Sequence, residues 1–197
     1  TAQMAREGIR RLLVLSGDEA WTLQQAQALR ERLAGDGLWV GSEPVSAPGV
    51  APGALKTLLG REVMHAFFDA RRGFDVAALA ALSGTLRAGS WLVLLTPPFA
   101  DWPSRVDEDS LRWSDTPDPI STPNFVLRCC RQFIADPEVL LWRQSDSPRL
   151  PLAVRRPDWH PADGHPLAEQ AAILGQLLRL PPGIAAVTAE RGRGKSA

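Results

Sequence analysis

Short apolar runs, separated by stretches with helical periodicity, set the pattern of this chain. Leu12 to Leu15 is a compact apolar run ending in Ser16-Gly17, the pattern of a buried parallel strand followed by a turn. Asp18 stands where a helix N-cap is expected. In the stretch that follows, Leu23, Ala26, Leu29 and Leu33 fall on one helical face, and Gly35-Asp36-Gly37 ends it. Leu38 to Val40 predicts a second strand, Ser46 to Gly53 a Pro/Gly loop, Leu55 to Leu59 a short helix and Glu62 to Phe68 a third strand. Asp75 predicts the cap of an Ala/Leu-rich helix over Val76 to Leu86. Trp91 to Leu95 is the clearest strand of the chain. Ala2 to Ile9 predicts a further short helix ahead of the first strand.

Pro97 to Ser121 reads as a long Pro-rich loop carrying Trp102 and Trp113, which are expected to pin it to its own domain rather than to stack on bases. Thr122-Pro123 predicts a helix start: a capping hydroxyl, then proline at the first helical position. That helix should turn Phe125, Val126, Cys130, Phe133 and Ile134 to the core and end at Asp136-Pro137. Val139 to Trp142 is a fifth strand. Strands alternating with helices imply right-handed crossovers and a mostly parallel sheet covered on both faces. The fold expected is a three-layer, Rossmann-like α/β domain over residues 1–147. Ligands of such sheets sit beyond the C-terminal strand ends, where Ser16-Gly17, Asp69 and Thr96 lie.

Beyond residue 147 the composition shifts. Four prolines, Pro148, Pro151, Pro157 and Pro161, punctuate 148–165, which reads as a linker laid along the surface. Pro166 opens a last helix with Leu167, Ala171, Leu174 and Leu178 on one face. Pro181-Pro182-Gly183 turns into a short apolar run, Ile184 to Val187, read as a strand. Ala189 to Ser196 then reads AERGRGKS. The general phosphate-binding loop is Gly, four residues, then Gly-Lys-Ser/Thr. Gly194, Lys195 and Ser196 fit; the leading position is Ala189. Gly192 and Gly194 let backbone N–H groups approach phosphate oxygens, Lys195 supplies a point charge, and Ser196 offers a hydroxyl to Mg²⁺. Residues 166–197 are thus expected to open a RecA-like ATPase module, with the chain a fragment. The alternative is a basic, Gly/Arg-rich tail.

Composition changes this picture little. Hydrophobic residues are 45% and charged residues 22% of 197, and the charges balance, so overall charge gives no support for nucleic-acid binding. Cys129 and Cys130 are neighbours on a helix, point in different directions, and read as buried small apolar residues rather than ligands or a disulfide. His65, His160 and His165 make no metal-ligand pattern, and the lone His65 reads as packed or hydrogen-bonded. No apolar run approaches the ~20 residues of a membrane span. The expected location is the cytoplasm.

The opening TAQMAREGIRRLLVLSGDE, the block FDARRGFDVAALAALSGTLRAGSWLVLL, the run DSLRWSDTPDPISTP and the ending PPGIAAVTAERGRGKSA resemble the amino-terminal part of the bacterial tRNA(Met) cytidine acetyltransferase family. The resemblance covers nearly the whole chain. It implies a modular enzyme: an amino-terminal α/β domain, a RecA-like module that hydrolyses ATP or GTP, an acetyltransferase domain and a tRNA-binding region. Such an enzyme acetylates the wobble cytidine of elongator tRNA(Met), giving N4-acetylcytidine. Gln170 matches the family's base-reading glutamine, and Gly192, Arg193, Gly194, Lys195, Ser196 and Ala197 match its nucleotide loop, with Ser196 toward Mg²⁺. The resemblance places acetyl-CoA and the catalytic residues outside this chain, which by itself is expected to be an inactive scaffold or RNA-positioning domain. Two other readings stand beside it. One is an accessory domain of a P-loop NTPase or helicase that does not act on tRNA. The other is a small-molecule enzyme with a reactive constellation at Ser16, Asp69 or Thr96.

Overall fold

A computed structural model of the protein describes residues 1–41, 49–54, 60–146 and 165–188. The chain divides into two compact units, Thr1–Val154 and Arg155–Ala197.

The first unit is a six-stranded sheet with every neighbouring pair parallel. After the helix α1 (Ala2–Arg6), the strand β1 (Arg11–Ser16) runs through the middle of the sheet. Next come α2 (Glu19–Arg32), β2 (Gly37–Val40), a two-residue edge strand β3 (Gly49–Val50) and β4 (His65–Asp69). The chain continues through α3 (Val76–Ser83), β5 (Trp91–Thr96), α4 (Pro123–Ala135) and β8 (Leu140–Arg143), with a small hairpin of β6 (Val106–Asp107) and β7 (Ile120–Ser121) before α4. The strand order is β3-β2-β4-β5-β1-β8.

Side chains alternate across the pleat, so one strand serves two cores. Leu13, Leu15, Trp39, Phe67, Val93 and Leu95 face α2, where Ala26 is buried and Leu23, Leu29 and Leu33 pack against them. Val14, Val40, Phe68, Leu92 and Leu94 face the other way, onto Ala78 and Leu82 of α3 and Val126 and Cys130 of α4. This is the expected three-layer α/β sandwich. α2 and α3 begin where their caps predict: Asp18 accepts the Trp21 N–H (2.8 Å) and Asp75 the Ala78 N–H (2.8 Å).

Several expectations are corrected. The Pro/Gly loop over Ser46 to Gly53 contains β3, which adds a strand beside β2. α3 stops at Ser83, because Gly84 caps it. Thr122 does not cap α4: its hydroxyl is buried without a partner, and Pro123 alone marks the start. Phe125 and Ile134 are 42% and 60% exposed. Each residue turns about 100° around a helix, so a buried stripe of Val126, Cys130 and Phe133 leaves positions 125 and 134 on its flanks. The predicted helix over Leu55 to Leu59, and nearly all of the 148–165 linker, lie outside the described residues.

In the second unit, α5 (Ala168–Leu177) begins as predicted, but none of its residues is buried. Ile184 to Val187 is not a strand; Ile184 is fully exposed. A parallel strand exists only by pairing, and no partner strand lies beside this run among the described residues.

Candidate functional site

The strand order locates the one place where an α/β sheet of this kind opens. From β1 the chain leaves across one face through α2 toward β2. From β5 it leaves across the other face through α4 toward β8. β1 and β5 are neighbours, paired from Arg11↔Trp91 to Ser16↔Thr96, so their outgoing connections diverge above Ser16 and Thr96. Such a switch point makes a crevice. A cleft of about 440 Å³ lies there, lined by Ser16, Gly17, Pro98, Phe99, Ala100, Arg143, Gln144 and Ser145.

Its polar groups are already occupied by the protein. The buried Ser16 hydroxyl donates to the Pro97 carbonyl (3.1 Å) and accepts the Phe99 N–H (3.2 Å). The Thr96 hydroxyl donates to the Leu15 carbonyl (3.3 Å) and the Gly17 N–H to the Thr96 carbonyl (3.3 Å). Gln144 is anchored by its own N–H on the Ser16 carbonyl (2.9 Å). Its side chain accepts the Asp18 N–H (2.9 Å) and donates to the Asp18 carboxylate (2.7 Å). The hydrogen bond from the Trp21 N–H, and then that from Gln144, hold the Asp18 carboxyl below its usual pKa.

A helix start after a central strand is where a phosphate would sit. Here the Gly17, Asp18 and Trp21 N–H groups are satisfied internally, and Asp18 places the protein's own negative charge at the head of α2. A Cβ on Gly17 would stand 2.6 Å from the Trp21 ring and 2.8 Å from the Gln144 side-chain oxygen, so only glycine fits this turn without a shift of its neighbours.

Nor does the rim hold acid–base machinery. Ser16 has backbone groups, not a base, within hydrogen-bonding distance. Asp69, at the end of β4, is locked to Arg71 by two short bonds (2.8 and 2.7 Å), and Arg71 also reaches the Glu19 carbonyl (2.8 Å), tying β4 to the first turn of α2. Ser16, Asp69 and Thr96 are therefore held in structural hydrogen bonds, and none of them is paired with a base among the described residues. Gln144 is the cleft residue that sequence reasoning missed, and Arg71, which in the sequence stands out only as half of the Arg71-Arg72 pair, proves to be the partner of Asp69. The only signal for Gln144 was position, just past the end of β8.

The cysteines behave as small apolar residues: burial pushes the Cys130 thiol up to about 11 and also raises Cys129. No group of three or more metal-ligating side chains occurs among the described residues. No helix among them is long and apolar enough to cross a membrane. His65 is packed and hydrogen-bonded, as its isolation suggested. The two loop tryptophans part company. Trp102 is buried against Phe74 and Phe99 and pins the loop, whereas Trp113 is 52% exposed and does not.

Of the predicted nucleotide residues, Gln170 lies in the first turn of α5, where its side-chain oxygen accepts the Leu167 N–H (2.8 Å). Ala189 and Gly192 to Ala197 lie outside the described residues.

Residues 1–144 match the family model described as tRNA(Met) cytidine acetyltransferase TmcA, N-terminal. Curated relatives named tRNA(Met) cytidine acetyltransferase TmcA align with the chain over almost its full length. The Citrobacter koseri protein is 62% identical over all 197 residues, and the Salmonella typhimurium protein 57%. The Haloferax volcanii protein is 32% identical over 95% of the chain. The chain spans about 29% of the length of the first two relatives and 28% of the third.

Proposed function

Because this chain belongs to the tRNA(Met) cytidine acetyltransferase TmcA family, we propose that it serves as the amino-terminal part of an enzyme that acetylates the wobble cytidine of elongator tRNA(Met). The observation that carries this is 62% identity sustained over the whole chain, including the tail that bears the phosphate-loop pattern. In this reading acetyl-CoA and tRNA are bound chiefly by the longer polypeptide, in the cytoplasm, and the Thr1–Val154 unit is a scaffold. The switch-point cleft supports that role, since the Ser16 hydroxyl is bonded to backbone groups and the Asp18 carboxylate occupies the head of α2.

The nucleotide site is assigned to Gln170 and to Gly192, Arg193, Gly194, Lys195, Ser196 and Ala197. The residue types fit a triphosphate: backbone N–H groups beside glycines, an ammonium at Lys195 and a hydroxyl at Ser196 for Mg²⁺. ATP or GTP bound there would supply the free energy of hydrolysis. Gln170 sits at the start of a helix that buries none of its side chains within its own unit, as expected of a segment that belongs to a larger module.

Two measurements test the reading. Disrupting the gene should remove N4-acetylcytidine from elongator tRNA(Met); unchanged content would refute the function and favour an NTPase acting elsewhere. In the full-length protein, Lys195→Ala should abolish nucleotide hydrolysis. An ordinary rate in that variant would refute the site while leaving the function standing.

A further inference from the structure

The exposed large apolar side chains of the Thr1–Val154 unit are gathered on one side. Among the described residues of that unit, all of them belong to α3, α4 or the loop between β5 and α4. Hydrogen bonds, ion pairs and one ring contact join the segments that carry four of them. The Asp107 carboxylate accepts the Phe74 N–H (2.9 Å), and Arg112 bridges Asp75 (3.3 Å) and Asp109 (2.9 Å), so residues 107–113 lie over Phe74 to Val76. The Phe125 ring stands 6.1 Å from that of Phe74. Val76 (40% exposed), Leu111 (50%), Trp113 (52%) and Phe125 (42%) therefore surround the Phe74–Asp75 corner.

This surface is held in place. Trp102 is buried beneath it, the Glu108 N–H bonds the Arg72 carbonyl (2.9 Å), the buried Ser110 hydroxyl accepts the Ile120 N–H (2.9 Å), and β6 pairs with β7. An ordered apolar patch with a polar rim marks an interaction site. The rim has a sign. Residues 101–119 carry six acids and two arginines, and Arg112 is neutralised by Asp109 and Asp75. Asp101, Glu108, Asp115 and Asp118 take part in none of the salt bridges among the described residues. Such a rim repels phosphate backbones and attracts a basic protein surface.

We infer that the α3–α4 face, centred on Leu111, Trp113 and Phe125, is the docking seat for a basic-rimmed, apolar-centred surface carried by the part of the family's polypeptide beyond this chain. The length relation supplies the occupant: the relatives are more than three times as long as the aligned chain, so a covering surface can come from the same molecule. This rests on the proposed function, which makes the chain part of that longer enzyme.

The test compares hydrogen exchange in the full-length protein and in the 197-residue chain. Amides of 106–114 and 120–127 should exchange roughly tenfold or more slowly in the full-length protein. The double reversal Asp115→Lys with Asp118→Lys, and separately Trp113→Lys, should return those amides to the rates of the short chain. Both changes lie on exposed positions and should leave the short chain's own melting unchanged, which separates lost docking from misfolding. Equal exchange in the two proteins would overturn the proposal. So would protection that appears only when tRNA is added, or protection of the short chain that rises with its own concentration; these would assign the face to RNA or to a second copy. Acetylation of elongator tRNA(Met) is read on the same full-length sample. An active enzyme with an unprotected face refutes the docking alone, and an inactive one with a protected face refutes the proposed function alone.

Discussion

His65 offers a sharp test of how this sheet is held together. Its ring is 1% exposed at the start of β4. The Trp91 N–H, at the start of β5, donates to Nδ1 (3.1 Å), so the proton must sit on Nε2, which donates to the Ala34 carbonyl just past α2 (3.2 Å). One neutral imidazole thus satisfies two backbone groups on two elements. His65→Phe keeps a planar ring of similar volume and removes both partners. A buried backbone group left unsatisfied costs about 1–3 kcal/mol, so the pair should cost about 2–6 kcal/mol. Against a total of about 5–15 kcal/mol this is a large fraction. With a urea slope of about 2 kcal/mol/M, the unfolding midpoint should fall by roughly 1–3 M.

The pH dependence gives an independent check. Burial lowers the His65 pKa. The unfolded chain, with its histidine near 6.5, therefore binds protons before the folded chain does. The stability contributed by the neutral ring is complete above about pH 6.5 and falls as pH drops from there toward the folded value. Wild type should lose this contribution on acidification and the Phe variant should not, so their difference should shrink between about pH 7.5 and pH 5.5. Urea titrations at several pH values measure both effects. A midpoint change smaller than about 0.3 M, or a difference that is constant with pH, would refute the two-sided hydrogen-bonding argument.

Two further substitutions probe the rim. Arg71→Met strands the Asp69 carboxylate, whose side chain is 8% exposed, and should cost about 3–5 kcal/mol in urea unfolding; a cost under about 1 kcal/mol would mean that water replaces the guanidinium. Gly17→Ala forces a methyl into the Trp21 ring and the Gln144 oxygen and should cost about 1–3 kcal/mol, seen as a lower melting temperature; an unchanged melt would show that Trp21 and Gln144 give way and that the turn is not tightly packed.

The sequence by itself determined the layers. Compact apolar runs at Leu12–Leu15, Trp91–Leu95 and Val139–Trp142 can be buried only on both faces, and the caps at Asp18 and Asp75 start helices by bonds within three residues. Local hydrogen bonding and hydrophobic period are properties of the chain, so they are legible in it. The family resemblance came from the same source. Strand order was not legible, because parallel strands pair through crossovers that sequence separation does not rank. It placed β1 between β5 and β8, put Gln144 on Asp18 across 126 residues, and so tied up the polar groups beside Ser16 and Thr96 that had suggested a site. The exposure of Phe125 and Trp113 was decided in the same way. Both are apolar, and the pattern alone sends them inward. Only the tertiary packing, with α4 seated on Val126 and Cys130 and the loop folded over Phe74, leaves them exposed.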